Sequence, residues 1–458
     1  MKGWGIVKLK ELIEFSNGKL IGNADLEKEI SKFSIDSREI DNNTFFIPLK
    51  GDKSDGHDYI NSAFEKGAIG TFTSKEAYPV EGKIIIKVDD TLLAMQNLAK
   101  KLREKLKNIP LIAITGSVGK TTTKDMVYAV LSAKYKTLKT KGNFNNNIGM
   151  PLTLINYSNE EAIVLEMGMN HLGEISFLSN IAKPDTAIII NVGHSHIGNL
   201  GSRENILKAK MEIVDGMSNE GMLVINDDND MLKTVKNTKQ RLIKFGFKGA
   251  NDITAYNVMV SDNTTEFMIK ENEKEYKIKL KLVGENFIYN ALAAWIIGKI
   301  YNVEPDERVK ALENCEFTKM RMNIENKNGI IMINDCYNAS PESMKVALEA
   351  LSKQDAKRKI AILGDMLELG EYSEKLHEEV GENVAQNEID KLYTVGKLAQ
   401  NIKNGAINAG MLEQNVKSYD TLEDILKEIK TLIGKGDAVL VKASRAMSFE
   451  KIINELEE

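Results

Sequence analysis

The residues of this chain best placed to do chemistry begin in Leu111-Ile-Ala-Ile-Thr-Gly-Ser-Val-Gly-Lys-Thr-Thr-Thr-Lys-Asp-Met126. Leu111 to Ile114 reads as a buried strand. A glycine turn follows, and a helix-forming stretch starts near Lys120. That succession makes an anion site, because backbone N–H groups at a glycine turn and a helix N-terminus converge on a phosphate. Gly116, Ser117, Val118 and Gly119 form the turn, and Thr121 and Thr122 open the helix. The Lys120 ammonium can add a point charge at the outer phosphates, and the Thr121 hydroxyl can reach a Mg²⁺. The usual phosphate loop has a glycine five residues before Gly119. This chain has Ile114 there, so the motif is a variant. A chance glycine turn would explain the glycines, but not the strand, lysine and threonine in register with them.

Three further positions suit the same chemistry. Ile163-Val-Leu-Glu166 is an apolar strand ending in a carboxylate, where phosphate-loop enzymes hold or order Mg²⁺. A lone acid after a strand is ordinarily a solvated loop residue. Here Gly142-Asn-Phe-Asn-Asn-Asn-Ile-Gly149 before it and Gly168 after it suggest close backbone approaches, which favours the metal role. Asn191-Val-Gly-His-Ser-His-Ile-Gly198 carries two of the five histidines, His194 and His196. An isolated pair would be packing or surface histidines; a position beyond a parallel strand argues for the ligand side of a sheet. On a predicted helix Glu204–Asp215, Lys210 shares the face of Ile206, Ile213 and Val214, and Lys208 does not. An inward lysine is paired, neutral or modified, or it snorkels to solvent. Burial lowers an amine pKa from about 10.4. A neutral amine reacts with CO₂ to give a carbamate, an anionic oxygen ligand for a second Mg²⁺.

These side chains need a sheet to position them. The runs Ile163–Leu165, Thr186–Val192 and Met222–Ile225, each followed by a helical stretch, predict a doubly wound, mostly parallel sheet with ligands at the strands' carboxyl ends. Residues 253–282 switch to alternation, with turns at Asp262-Asn-Thr264 and Glu271-Asn-Glu273, which predicts an antiparallel extension. A helix Phe287–Tyr301 follows, with Asn286 and Asn290 at its start. This central domain is assigned 108–314. Before it, residues 1–107 alternate short strands (Thr44–Leu49, Ala68–Thr73, Lys83–Val88) with helices (Tyr59–Lys66, Thr91–Leu106), a small α/β unit. Its polar turns, Asp36-Ser-Arg38 and Gly51-Asp-Lys-Ser-Asp-Gly-His57, are ordinary loop chemistry on composition alone. The alternative is that Ser37, Arg38 and His57 hold a polar ligand. Residues 315–458 predict a third, Rossmann-like α/β domain. Its hairpin turns at Asn328-Gly329 into Ile330–Asn334, and strands follow at Lys359–Leu363, Lys391–Val395 and Ala438–Val441. Polar loops end these strands at 335–341, 364–370 and 442–445.

The whole-chain properties agree with three globular domains. A length of 458 residues suits about three domains of ordinary size. The content, 42% hydrophobic and 28% charged, is that of a soluble globular chain. A net charge of −5 without a basic patch gives no support to nucleic-acid binding. Two cysteines, Cys315 and Cys336, cannot build a disulfide framework and have no metal-ligand spacing, so they read as reduced packing thiols. No apolar run approaches the roughly 20 residues that span a bilayer. The start, Met1-Lys-Gly-Trp-Gly, lacks the apolar core of a signal peptide, and a cytoplasmic location is expected.

Several motifs taken together resemble the Mur ligases: Thr115-Gly-Ser-Val-Gly-Lys-Thr121, Gly142-Asn-Phe-Asn-Asn-Asn-Ile-Gly-Met-Pro151, Glu166-Met-Gly-Met-Asn-His-Leu-Gly-Glu174, Asn191–Ser202, Ala209-Lys-Met-Glu-Ile213, Asn226-Asp-Asp228 and Asn286–Ala291. The resemblance runs through essentially the whole chain in order. Asp335-Cys-Tyr-Asn-Ala-Ser-Pro-Glu-Ser-Met344 and Ile362-Leu-Gly-Asp-Met-Leu-Glu-Leu-Gly370 look like the branch that adds D-alanyl-D-alanine. Asp36-Ser-Arg38 and Asp55-Gly-His-Asp58 are similar to its UDP-binding domain. The resemblance implies ATP-dependent amide synthesis through an acyl phosphate, with D-alanyl-D-alanine and a UDP-N-acetylmuramoyl tripeptide as substrates and a monomer as the working form. It implies a metal at Thr121 and Glu166, and a second at His196 and a carbamylated Lys210. Nucleotide contacts would come from Asn286, Asn290, Arg321 and Asp335. Substrate contacts would come from Ser37, Arg38, His57, Asn143, Asn145, Asn338, Lys442, Ser444 and Arg445. Glu285 stands where the family often has His, and Asn147 where an acid is common. A sister ligase, MurE-like or folylpolyglutamate-synthase-like, would keep the central domain and differ in its amine; a regulatory nucleotide-binding module would bind ATP without consuming it.

Overall fold

The structure is a computed structural model that describes residues 7–236, 238–248, 251–261, 264–318 and 323–457. Its centre is a nine-stranded sheet. In spatial order the strands are Lys274–Leu280, Thr265–Glu271, Ile253–Val260, Arg241–Gly246, Met222–Asn226, Thr186–Ile189, Leu111–Thr115, Ala162–Glu166 and Thr137–Lys139. From Thr137–Lys139 to Ile253–Val260 every pairing is parallel, and the last two strands are antiparallel. The predicted extension over 253–282 corresponds to these antiparallel strands. The strand Arg241–Gly246 escaped the sequence reading because Arg241 and Lys244 break its apolar run.

Leu111–Thr115 is buried along its whole length and lies between Ala162–Glu166 and Thr186–Ile189. Its alternate residues face opposite cores: Leu111 and Ala113 join one cluster, Ile112 and Ile114 the other. From this strand the chain runs to the edge strand Thr137–Lys139, returns to Ala162–Glu166 on the same side, and then crosses to Thr186–Ile189 on the other. The crevice beyond its carboxyl end is therefore a topological switch point, where doubly wound sheets take their ligands. Behind it, the helix Lys120–Ser132 crosses the helix Asn286–Ile300 closely: a Cβ at Gly298 would lie 2.6 Å from Val130 Cγ1. The second helix is apolar all round because sheet and helix cover both its sides, and its Trp295 indole N–H donates to the buried Glu271 carboxylate at 2.7 Å.

The first region holds a five-stranded sheet in the order Lys19–Ile21, Ile84–Lys87, Gly70–Thr73, Thr44–Phe46 and Lys32–Ser34. Its helix Thr91–Lys105 docks it on the centre, with Arg103 Nε donating to Ala182 O at 2.7 Å and Gln96 Nε2 to Asn147 O at 2.8 Å. The last region holds a six-stranded sheet, Asn323–Lys327, Ile330–Asn334, Asp437–Lys442, Arg358–Gly364, Lys391–Val395 and Val416–Tyr419, parallel except for the first hairpin. The predicted helix Glu204–Asp215 is corrected: the α-helix covers Arg203–Met211, and Glu212–Val214 is a 3₁₀ turn. Lys210 nevertheless points inward and Lys208 outward, because both precede the change of pitch. Among the described residues, no helix is long and apolar enough to cross a membrane.

Candidate active site

The phosphate loop is held open by bonds from distant parts of the chain. Gly119 has φ +82°, a left-handed conformation that glycine adopts without strain, and its carbonyl accepts from Asn290 Nδ2 at 3.1 Å. A Cβ there would lie 2.9 Å from that same nitrogen. Asn191 grips the loop from the next strand end: its Oδ1 accepts from Val118 N–H at 2.9 Å and its Nδ2 donates to Val118 O at 3.0 Å. Ser117 Oγ accepts from Gly193 N–H at 2.8 Å. Lys120 folds over this loop, donating to Gly116 O at 2.8 Å and Ser117 O at 3.2 Å. The residues 117–122, Asn286 and Asn290 all line one cleft of about 1590 Å³.

Beside the loop lies a corner suited to a hard cation. Glu166 ends its strand fully buried, and its backbone N–H is tied to Thr140 Oγ1 at 3.0 Å. Thr121 Oγ1 donates to Glu166 Oε2 at 2.9 Å, and Asn145 Nδ2 to Oε1 at 2.8 Å. Two carboxylate oxygens, a hydroxyl and a carboxamide thus meet at one point, a set that a Mg²⁺ with its waters and a phosphate oxygen would fit. Among the described residues no group of three or more His, Cys, Asp or Glu gathers as a metal site. A second cation would therefore have to draw on other donors. Lys210 is 1% exposed and has no hydrogen-bond or ion-pair partner among the described residues. Burial pushes its amine well below the ordinary lysine range, the Lys120 charge pushes it further, and Glu342 opposes both. A buried neutral amine of this kind is chemically competent to form a carbamate.

The loop carrying both histidines lines the cleft, and each ring meets a carboxylate of the last domain. His194 Nδ1 is 2.6 Å from Glu342 Oε1, which also accepts from His194 N–H at 2.7 Å. His196 Nδ1 is 2.6 Å from Glu368 Oε2. Sequence reasoning missed Glu342 and Glu368 as partners because they lie 148 and 172 residues away. Asn191 was legible as part of the loop but not as its clamp.

The remaining predicted contacts divide. Asn143, Asn145, Asp335, Asn338 and Lys442 line the cleft. The buried Lys442 ammonium donates to Asp335 Oδ2 at 2.5 Å and to Asn338 O at 2.8 Å, which fixes the strand-end loop. Ser444 and Arg445 do not line it: Ser444 Oγ accepts from Leu367 N–H at 2.8 Å, and Arg445 pairs with Glu450 at 2.9 Å. Arg321 lies outside the described residues. Ser37, Arg38 and His57 do not line it either; the first domain reaches the cleft through Leu92 and Gln96. His57 is satisfied on both ring nitrogens, by Asp55 at 2.6 Å and by Ser74 N–H at 3.0 Å. Arg38 folds onto Asp36, with Nη2 to Oδ2 at 2.6 Å, and the Ser37 carbonyl accepts from Lys66 at 2.9 Å.

The three folded units match three family models in order. The Mur ligase family catalytic domain matches residues 29–103, the Mur ligase middle domain 114–298, and the Mur ligase glutamate ligase domain 320–445. A UDP-N-acetylmuramoyl-tripeptide--D-alanyl-D-alanine ligase of Bacillus subtilis (strain 168) is 39% identical over 98% of both chains. One of that name from Escherichia coli (strain K12) is 32% identical over 99% of this chain and 98% of its own. MurF from Acinetobacter baumannii superposes with a TM-score of 0.87 at 29% identity, covering 99% of each chain. The MurF ligase of Thermotoga maritima in complex with ADP gives a TM-score of 0.79 at 31% identity, covering 93% of this chain and 97% of its own. The chain belongs to the Mur ligase family, in its MurF group.

Proposed function

We propose that this chain joins D-alanyl-D-alanine to the terminal carboxylate of a UDP-N-acetylmuramoyl tripeptide, converting ATP to ADP and phosphate. This is the last cytoplasmic step toward the peptidoglycan precursor UDP-MurNAc-pentapeptide. The carrying observation is the Thr121–Glu166–Asn145 corner beside an open phosphate loop, in a chain that matches ligases of that name along its length.

In this reading Lys120 sits against the outer phosphates of ATP, and the backbone of Gly116–Gly119 cradles them. The tripeptide carboxylate attacks the γ-phosphorus. An O–P bond forms to the carboxylate oxygen, the bond to the β–γ bridging oxygen breaks, and ADP leaves. The dipeptide amine then attacks the acyl carbon, loses a proton, and displaces phosphate. Mg²⁺ held by Thr121 and Glu166, and a second held by His196 and a carbamylated Lys210, would neutralise charge on the transferring phosphoryl group. Asn286 and Asn290 contact the nucleotide from the helix start. Asp335 and Arg321 would also contact the nucleotide, and Asn338 and Lys442 the substrate. The units 1–107, 108–314 and 315–458 then divide the work into UDP-sugar binding, phosphate chemistry and amine delivery. Ser37, Arg38 and His57 belong to the first task. The enzyme works as a monomer.

Phosphate release tests the assignment, with ATP, D-alanyl-D-alanine and a panel of UDP-muramoyl tripeptides differing in their third residue. Release should require both the dipeptide and a tripeptide. Equal release with a free amino acid would move the chain to a sister ligase, and ATP binding without release would remove it from the enzymes.

A further inference from the structure

The two histidine–carboxylate pairs across the domain interface are not equivalent. Glu342 binds both the backbone N–H and the ring of His194, and its carboxylate fills the space a Cβ at Gly193 would need, 2.5 Å away. That pair is anchored through backbone and side chain together. Glu368 touches His196 by the ring alone, and the backbones around them are unusual. His196 has φ +65° and Glu368 φ +64°, left-handed conformations that His, like Asn and Asp, takes more readily than most residues and that Glu rarely adopts. Gly198 N–H donates to Glu368 O at 2.9 Å. Gly198 and Gly370 meet backbone to backbone, so a Cβ on Gly198 would lie 2.6 Å from Gly370 N. Tyr372 OH donates to Gly201 O at 2.8 Å beside them. Two turns from different domains thus approach backbone to backbone where His196 meets Glu368, with Glu368 held in a strained conformation.

The consequence concerns the ring. An Nδ1–H given to Glu368 leaves the lone pair on Nε2, in the ring that lines the cleft. Without Glu368 the other tautomer and a rotated ring become accessible. We propose that Glu368 is a positioning residue for His196: docking of the last domain fixes the tautomer and orientation of a central-domain metal ligand, so the second metal position is complete only when the two domains meet. This rests on the reading of His196 as a ligand given under Proposed function.

The test is Mn²⁺ binding to the full chain, followed by electron paramagnetic resonance with a non-hydrolysable ATP analogue present, on variants whose thermal melting matches the parent. The parent should bind two Mn²⁺. His196→Ala should lose the weaker one. Glu368→Ala should weaken that same ion by about 10- to 100-fold and leave the first unchanged, the range seen when an outer partner of a metal-bound histidine is removed. Glu368→Gln keeps an acceptor for Nδ1–H and should retain most of the affinity. Tyr372→Phe removes an interface bond that does not touch His196, so it should leave both ions unchanged. Unaltered Mn²⁺ binding in Glu368→Ala, with a loss in His196→Ala, overturns the proposal and leaves the ligand reading standing. An equal loss in Tyr372→Phe overturns it too, since docking alone would then be the cause. Two ions still bound by His196→Ala overturns the ligand reading and the proposal with it.

Discussion

The phosphate-loop corner and the polar turns of the first domain look alike as sequence, since both crowd charged and hydrogen-bonding residues at strand ends. Their hydrogen bonds run differently. In the turns the partners are near neighbours: Asp36 binds Arg38, Asp55 binds His57, and His57 reaches Ser74 only 17 residues on. In the corner the partners are remote: Thr121 and Glu166 are 45 residues apart, Asn191 and Val118 73, His194 and Glu342 148, Asn290 and Gly119 171. A cluster that closes on itself stabilises its own loop. A cluster assembled from several strand ends holds a concave space with unfilled bonding capacity, and that space can take a ligand.

The largest effect expected from this contrast is at Lys120. Lys120→Ala should reduce kcat by about 10³-fold, because it removes a charge from the transferring phosphoryl group rather than core volume. The melting temperature should not move. Phosphate release near the parental rate would break the assignment of the loop. Next comes Lys210: Lys210→Ala should cost about 10²-fold in kcat, by analogy with other charge-stabilising groups. Lys208→Ala, on the exposed side of the same helix, should stay within about twofold, the noise level of a surface change. Added formate or acetate should restore part of the Lys210→Ala activity, and ¹³CO₂ should give a carbamate carbon resonance in the parent alone. Identical behaviour of the two lysine variants would remove the carbamate.

A third prediction concerns how the central domain holds its connection to the last. Asp125, in the helix after the phosphate loop, accepts from both Thr318 N–H at 3.0 Å and Thr318 Oγ1 at 2.8 Å, and it pairs with the fully buried Lys124 at 3.3 Å and with Lys139 at 2.9 Å. Asp125→Ala would strand the Lys124 ammonium and should cost about 3 kcal/mol in urea unfolding. Burial raises the Asp125 carboxyl, but the Lys124 charge and the Lys139 and Thr318 bonds more than offset this, so it lies below its ordinary value of 3.8. The stabilisation is then fully present above pH 3.8 and is lost as the pH falls through the lower folded value. The gap between parent and variant should therefore be constant from pH 7 to about 5 and shrink only in strong acid. A gap that closes near neutrality would contradict the ion-pair account.

Much of this was legible because the signals are local. An apolar run before Gly116, an acid after Ile163-Val-Leu, and a lysine spaced with Ile206 and Ile213 each need only a few residues of context. The rest depends on pairing that no short window contains. Glu342 and Glu368 read as ordinary helix-start and loop acids until the packing of the last domain on the centre brings them to His194 and His196. The strand Arg241–Gly246 was hidden because Arg241 is exposed and Lys244 is bound to Asp227 at 2.6 Å, so its polar residues had partners the pattern did not reveal. Ser444 carries a cleft-like motif but spends its hydroxyl on the backbone of Leu367.

The smallest effects belong to the first domain. Arg38→Ala should raise KM for the UDP-linked substrate by about tenfold, equivalent to about 1.4 kcal/mol, with kcat unchanged at saturation. His57→Ala should raise the same KM and in addition cost about 1 kcal/mol of stability, since the ring closes bonds to Asp55 and Ser74. An unchanged KM in Arg38→Ala would take the UDP-sugar away from these turns.

The claim beneath all of these is that the corner around Lys120, Thr121 and Glu166 transfers a phosphoryl group to a carboxylate. The direct measurement is the fate of ¹⁸O placed in the terminal carboxylate of the UDP-muramoyl tripeptide. One labelled oxygen should appear in inorganic phosphate, with ADP as the nucleotide product. Label in AMP, with release of pyrophosphate, would mean attack at the α-phosphate and would contradict both the acyl phosphate and the place given to Lys120.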